Sequence, residues 1–204
     1  MYLIFLDTET TGLNPEKHRI IEIAYKVIDS VSKRIVVSYD AVVAQPLEVW
    51  SAADPESLKI NGFCWEQTLQ GKTEQVIASE IENDLNRLEL GQKEGIFICQ
   101  NPSFDRSFFI QLINADVQEH FGWPYHWLDL ASMYWAVCHT HSGPSLTKES
   151  DLSKNSIAGN YGIPPEGYPH RAMNGVKHLI LCYEAIFGKF AELTGSAFSA
   201  GQQC

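Results

Sequence analysis

Two carboxylates one residue apart lie near the start of the chain. They are Asp7 and Glu9, within the string DTETTGL that directly follows the apolar run Tyr2 to Leu6. Alternate side chains of an extended strand point to the same face, so the two acids are expected side by side. Like charges this close repel unless a cation lies between them, and hard carboxylate oxygens suit Mg²⁺ or Mn²⁺. A plain acidic turn is the common alternative for a bare Asp-x-Glu pair, but the complete string is far more specific.

Two later segments carry groups of matching chemistry. Asp105 ends the string Asn-Pro-Ser-Phe-Asp, which follows the short apolar run Ile96 to Cys99, and His170 follows a proline. An imidazole titrates near neutral pH and suits proton transfer. Taken alone, Asp105 is better explained as an acid in the first turn of a helix, and His170 as a surface or capping histidine. Their order after the first segment is what makes them candidates.

In this order the three segments resemble the motifs of the DEDD-type 3′–5′ exonucleases, histidine subtype, which include polymerase proofreading subunits and ribonuclease T. The first motif is matched by DTETTGL and the second by residues 101–105, with Gln100 where the family usually has histidine. The third is matched by His170-Arg171-Ala172, and the preceding stretch Leu152 to Ile163 also resembles the family. Asp129 falls where many members carry a structural aspartate. The resemblance spans Leu3 to about Phe187.

The resemblance implies a metal-dependent mechanism. Asp7 and Glu9 would hold one ion and Asp105 would support a second, both Mg²⁺ or Mn²⁺, and His170 would act as the general base. The segment Tyr161 to Pro169, with three prolines and two glycines, would deliver His170 on a mobile loop. The family pattern also implies a set of residues that cradle the 3′-terminal nucleotide: Thr10, Gly12, Leu13, Asn101 and Phe104.

The chain departs from the family at one consequential position. The family has aspartate five residues after the histidine, whereas this chain has Gly175. The neighbouring Asn174 is one residue early, which on a helix turns its side chain by about 100°. The resemblance assigns the missing aspartate to the metal that activates water. A weakened member that binds 3′ ends or a polymerase is therefore the alternative function.

Other polar and aromatic residues are weaker candidates. The pair His139 and His141 beside Cys138 could suggest zinc, but no second ligand pair has the required spacing. Aromatic residues between Phe121 and Trp127 could stack on bases, although packing is the more common role. Five basic residues lie near the motifs and are candidate phosphate contacts, each of which taken alone is more simply a solvated charge: Arg106, Lys148, Lys154, Arg171 and Lys177.

Charge and composition narrow the function classes. The 204 residues include 15 basic and 25 acidic ones, a net charge of −10. That balance excludes a histone-like binder that neutralises many phosphates, but not an acidic metalloenzyme. No apolar run approaches a membrane span and the start does not resemble a signal peptide. Five scattered cysteines without a CxxC pair argue against a disulfide framework and predict a cytoplasmic protein.

The pattern of apolar residues predicts an α/β domain. Strands are expected over Tyr2 to Leu6, Ile20 to Ile28, Ile35 to Ala44 and Ile96 to Cys99, with a turn from Thr8 to Asn14. Helices are expected over Lys72 to Leu88, Pro102 to Ile113, Asp129 to Val137, Leu152 to Tyr161 and Ala172 to Phe190. Three antiparallel strands followed by alternating helix and strand indicate a mixed, ribonuclease H-like sheet flanked by helices. One domain is expected over residues 1–192, followed by a flexible tail over 193–204.

These inferences combine into one functional prediction: a 3′–5′ exonuclease that acts on single-stranded ends by two-metal hydrolysis. No residue is an evident reader of the 2′-hydroxyl, so the preference between DNA and RNA stays open, with DNA slightly favoured. A polymerase is a candidate partner, although residues 195–204 contain no recognisable sliding-clamp-binding peptide. A second copy of the chain is another candidate, because Cys182 lies on an apolar face of the last helix.

Overall fold

The computed structural model of the protein describes residues 1–91, 94–142 and 151–190. Within them the strands are β1 (Tyr2–Thr10), β2 (Ile20–Asp29), β3 (Ile35–Val42), β4 (Gly95–Cys99) and β5 (Trp127–Asp129). The helices are α1 (Leu47–Ser51), α2 (Pro55–Asn61), α3 (Trp65–Thr68), α4 (Glu74–Arg87), α5 (Pro102–Leu112), α6 (Ala115–His120), α7 (Leu130–Ser142), α8 (Lys154–Asn160) and α9 (Ala172–Phe187). The tail from residue 193, Lys148 and the side chains of His139 and His141 lie outside the description.

The strands form one mixed sheet in the order β3-β2-β1-β4-β5. β1 and β2 pair antiparallel, as do β2 and β3, whereas β4 runs parallel to β1 and β5 parallel to β4. This arrangement confirms the predicted fold class. It also makes β1 the central strand, covered on both faces, as its nearly continuous burial shows.

The side chains on the two faces of β1 belong to two separate hydrophobic cores. Ile4 and Leu6 pack with side chains of α4 and α5, among them Ile81 and Phe108. On the other face, Leu3 and Phe5 join a second core, whose members from α9 include Val176, Leu179 and Cys182. The sheet is therefore a layer between helices. Cys182 is buried in this chain's own core, and a second copy of the chain as partner stays a prediction.

β1 is longer than the sequence predicts. Its pairing with β2 continues from Tyr2 opposite Asp29 to Thr10 opposite Ile20, with an irregularity between Glu9 and Thr10. The expected turn from Thr8 is therefore wrong by three residues, because β-branched threonines extend the strand beside a paired neighbour. Asp7 and Glu9 consequently lie inside the strand, where they continue the face of Phe5.

The sequence patterns do not predict the short helices and the short strand. α1, α2, α3 and α6 have four to seven residues each, too few to show a helical period. The predicted helix from Asp129 begins one residue later, because residues 127–129 form β5. Among the described helices, none is both long enough and apolar enough to cross a membrane.

Candidate active site

The acids of the first motif lie on the central strand against a third carboxylate. Glu9 is opposite Glu22 of β2, and all but 9% of Glu9 is buried. Burial, followed by the charges of Asp7 and Glu22, raises the pKa of Glu9 to about 8. Burial also raises the pKa of Asp7. The fold thus holds these acids where an unneutralised negative charge is unfavourable.

Asp105 joins them from a neighbouring element. It lies in the first turn of α5, directly after β4, and is 3% exposed. The Thr8 hydroxyl donates to Oδ1 of Asp105 at 2.8 Å. Burial raises the pKa of Asp105 well above its ordinary value, and the charge of Asp7 adds to the effect. Glu9 and Asp105 are thus both within electrostatic range of Asp7, so the three carboxylates that the sequence predicts as ligands lie in one region of the fold.

Gly175 lies directly against this cluster. A Cβ atom built on Gly175 would be 2.5 Å from Cγ and 2.9 Å from Oδ1 of Asp7, well inside ordinary contact. The Asp7 carboxylate thus occupies the space into which a side chain at this position would extend. α9 is fixed there at its start, where the Ala172 N–H donates to Oε2 of Glu22 at 2.7 Å. Asn174 is exposed.

A buried lysine also contacts the cluster. Nζ of Lys154 lies 3.3 Å from Oδ1 of Asp7, 2.8 Å from Oε2 of Glu166 and 3.5 Å from the Gly175 carbonyl oxygen. The side chains of Lys154 and Glu166 are only 12% and 4% exposed. Burial by itself lowers the pKa of Lys154, but the two carboxylates outweigh it and raise that pKa above its ordinary value. Lys154 is thus held in an ion-pair network rather than left as a free phosphate contact.

Glu166, like Glu22, is an acid near the site that the sequence patterns do not single out. It belongs to the segment between α8 and α9, which has no helical or strand period and so no pattern that assigns a face to this acid. Its backbone N–H donates to Oδ1 of Asn155 at 2.8 Å. Twelve residues further along, Nε2 of His178 donates to the Pro164 carbonyl at 2.9 Å. These contacts fix the segment beside Lys154.

His170 lies at the edge of the same cluster. It is half-buried, and its backbone N–H donates to the Ile60 carbonyl at 3.0 Å. Burial raises the pKa of Asp7, whereas Lys154 and, more weakly, His170 lower it, so the imidazole is close enough to affect the carboxylate. The predicted base therefore lies within electrostatic range of Asp7, one of the predicted ligands.

The residues predicted to cradle a nucleotide divide into two groups. Leu13 is 73% exposed, Asn101 is exposed and Phe104 is half-buried, so all three are accessible to a ligand. Thr10 is buried and donates its hydroxyl to the Gly12 carbonyl at 2.8 Å. A Cβ on Gly12 would be 2.5 Å from Cδ2 of His18, so a side chain there would have to displace the His18 ring.

Three other residues near the motifs have structural contacts. Asp129 accepts hydrogen bonds from the backbone N–H groups of Asn101, Ala131 and Ser132, which joins the second motif to the start of α7. Cζ of Arg171 lies 3.9 Å from the centre of the Phe63 ring. Nε2 of Gln100 donates to the Leu152 carbonyl at 2.8 Å. These contacts support the site rather than line it.

The donor set fits a hard divalent cation. Buried carboxylates with raised pKa values gain most from a nearby positive charge, and Asp7, Glu9 and Asp105 offer only oxygen ligands, as Mg²⁺ and Mn²⁺ prefer. Within the described ranges, no group of three or more His, Cys, Asp or Glu side chains stands close enough together to hold an ion as the side chains are placed. The Lys154 ammonium lies against Asp7 instead.

Comparison with known proteins assigns the chain to a family. A sequence model of the exonuclease family RNase_T matches residues 4–177. The oligoribonuclease of Vibrio campbellii is 32% identical over 139 residues, which cover 64% of this chain and 72% of that protein. The oligoribonuclease of Azoarcus is 41% identical over 61 residues, 30% of this chain and 34% of the relative.

Solved structures share the fold at lower identity. Cell-death related nuclease 4 has a TM-score of 0.69 at 17% identity, covering 90% of this chain and 62% of the other. E. coli exonuclease I in complex with a dT13 oligonucleotide has a TM-score of 0.66 at 16% identity, covering 90% and 40%. A 3′-exonuclease described in 3′-end specific recognition of a histone mRNA stem-loop has a TM-score of 0.66 at 18% identity, covering 92% and 64%. The chain thus spans less than two thirds of each of these proteins.

Proposed function

Because the chain belongs to the exonuclease family RNase_T, whose sequence model covers residues 4–177, we propose that it hydrolyses single-stranded nucleic acid from the 3′ end with a bound divalent cation. One observation carries this proposal beyond family membership. Asp7 and Glu9 from β1, Asp105 from α5 and His170 before α9 converge although they are far apart in sequence. Such a set combines metal ligands with a group that transfers protons.

The proposed roles follow from the positions of the side chains. Asp7, Glu9 and Asp105 hold the cation, which when bound supplies positive charge that stabilises the transition state at phosphorus. His170 accepts a proton from the attacking water. Water forms the new P–O bond, the bond from phosphorus to the 3′-oxygen breaks, and that oxygen takes up a proton. The products are a nucleoside 5′-monophosphate and a shortened chain with a new 3′-hydroxyl.

The surface around these groups supports binding of an end rather than a long strand. Leu13, the last residue of the first motif, is exposed and can pack against a terminal base, while Asn101 offers an amide for hydrogen bonding. A net charge of −10 opposes contacts with many phosphates. We therefore propose short oligonucleotides as substrates, and the similarity to proteins named oligoribonucleases adds RNA to the DNA that the sequence slightly favoured.

Nucleotide release from 5′-labelled oligomers tests this function. Matched five-residue RNA and DNA are incubated with Mn²⁺, with Mg²⁺ or with EDTA. We expect a ladder shortened from the 3′ end that EDTA and Asp7→Asn abolish, and a loss of about 10²–10⁴-fold in His170→Gln. Glu119→Gln, which changes an exposed acid of α6, is the control and should match the wild type.

The alternative function has its own signature. Gly175 and the Lys154 ion pair both depart from a four-carboxylate site, and they favour a protein that binds 3′ ends without cutting them. In that case no ladder forms, but a 3′-hydroxyl oligomer binds more tightly than its 3′-phosphate counterpart. A ladder that persists in Asp7→Asn would contradict both functions, since the activity would then come from elsewhere. A polymerase partner remains a prediction.

A further inference from the structure

Lys154 lies beside Gly175, the position at which the family's fourth carboxylate is missing. We propose that its ammonium group takes the place of one of two metal ions, so that the site binds a single divalent cation. This inference rests on the proposed metal-dependent function and changes how many ions that function uses. It departs from the two-ion site that the family resemblance implies. Its basis is the contact of Lys154 with Asp7, Glu166 and the Gly175 carbonyl.

The ammonium neutralises the carboxylates as an ion would. Oδ1 of Asp7 and Oε2 of Glu166 lie within 3.3 Å and 2.8 Å of the same nitrogen, so these oxygens are no more than about 6 Å apart. With no cation between them they would repel each other in a buried environment. A second divalent ion bound to Asp7 on this side would lie against the ammonium, and like charges repel. The lysine and a second ion are therefore mutually exclusive.

The local structure holds Lys154 in this position. The residue begins α8, after an N-cap at Ser153 whose hydroxyl oxygen accepts from the Ser156 N–H. A positive charge in the first turn of a helix is unfavourable with the helix dipole, so helix stability does not explain a lysine here. The Gln100 amide holds the Leu152 carbonyl two residues earlier, and Glu166 bonds to Asn155, the residue after Lys154. The ion pair is thus supported from both sides.

The position of Lys154 depends on the absence of a side chain at Gly175. The absence of a side chain lets the Asp7 carboxylate lie against α9 and lets Nζ of Lys154 approach the Gly175 carbonyl oxygen at 3.5 Å. An aspartate at this position would need the volume that the Asp7 carboxylate now occupies. Loss of the family's aspartate and use of a buried lysine are therefore two parts of one arrangement.

Counting bound ions tests this inference. Mn²⁺ is titrated into the full chain and followed by electron paramagnetic resonance, with and without thymidine 5′-monophosphate as a product-like probe. The variant Lys154→Met keeps the aliphatic stem and removes the charge. Lys72→Met is the matched control, because Lys72 also pairs with a carboxylate, Glu80, but outside the site. Circular dichroism establishes that each variant is folded.

We expect one Mn²⁺ per chain in the wild type and in Lys72→Met. Lys154→Met should bind two, and its spectrum should show the coupling between neighbouring Mn²⁺ ions. Two ions in the wild type would overturn this inference and leave the proposed function intact, as would a folded Lys154→Met that still binds one. No bound ion in the wild type would overturn the metal-dependent function together with the inference. If Lys154→Met does not fold, the count in the wild type decides.

Discussion

Replacement of Gly175 by alanine probes the contact between α9 and Asp7. The added Cβ would be 2.5 Å from Cγ of Asp7, about 1 Å closer than carbon atoms normally approach. Asp7 cannot simply turn away, since Lys154 holds its Oδ1 and the surroundings are buried. We expect the substitution to destabilise the fold even though alanine favours a helix.

The expected magnitude combines two opposing effects. Overpacking a well-packed site costs about 1–3 kcal/mol, and exchanging glycine for alanine inside a helix returns about 0.5–1 kcal/mol. Gly159 in α8 is the matched control, because a Cβ there meets nothing within 4 Å. Gly159→Ala should show only the stabilisation that alanine gives a helix. Gly159→Ala and Gly175→Ala should therefore differ by about 1–3 kcal/mol in free energy of unfolding.

Urea denaturation of four proteins isolates the contact: the wild type, Gly175→Ala, Asp7→Ala and the double variant. If the Asp7 carboxylate is what the new methyl group meets, Gly175→Ala should cost little or nothing once Asp7 is alanine, and the coupling energy should be about 1–3 kcal/mol. Equal costs in both backgrounds would refute the reasoning, as would a Gly175→Ala protein as stable as Gly159→Ala. By the same steric argument, Gly175→Asp should not create a two-ion site, and its Mn²⁺ count should stay at one.

Three further predictions concern stability. Asp129→Ala removes the acceptor for three backbone N–H groups and should lower the free energy of unfolding by about 1–3 kcal/mol, measured by urea denaturation. An unchanged midpoint of the urea transition would show that these hydrogen bonds do not stabilise the fold. The pKa of Glu9 is about 8 in the folded chain, against an ordinary value of 4.5. Without metal, the folded state therefore binds this proton more tightly than the unfolded state does, and the free energy of unfolding should fall as pH rises from 4.5 to about 8. Glu9→Gln should flatten that dependence in EDTA, and parallel curves would contradict it. Gly12→Ala should lower the melting temperature, because the added methyl group meets the His18 ring. In a His18→Ala background the same substitution should no longer lower it, and a decrease that persists there would show another cause.

The sequence predicts the main elements because their patterns are local and repeated. β1 alternates between two buried faces, and α4 and α9 carry apolar residues at helical spacing, so their positions follow from periodicity. Asp7 and Glu9 could be placed on one face for the same reason. The end of β1 could not, since Thr8 to Thr10 become strand only through pairing with β2. The short helices between residues 47 and 68 lack the length to show a period.

The sequence by itself determined the fold class, and it predicts three carboxylates and a histidine as site residues because they lie in short strings whose order carries information. Only the tertiary structure decided which groups lie beside the position of the missing aspartate. Lys154 and Asp7 are 147 positions apart, and Glu166 lies in a segment without periodicity. Their ion pairs depend on where α8 and α9 dock against β1, a matter of packing across the whole chain that leaves no local trace around any of the three residues.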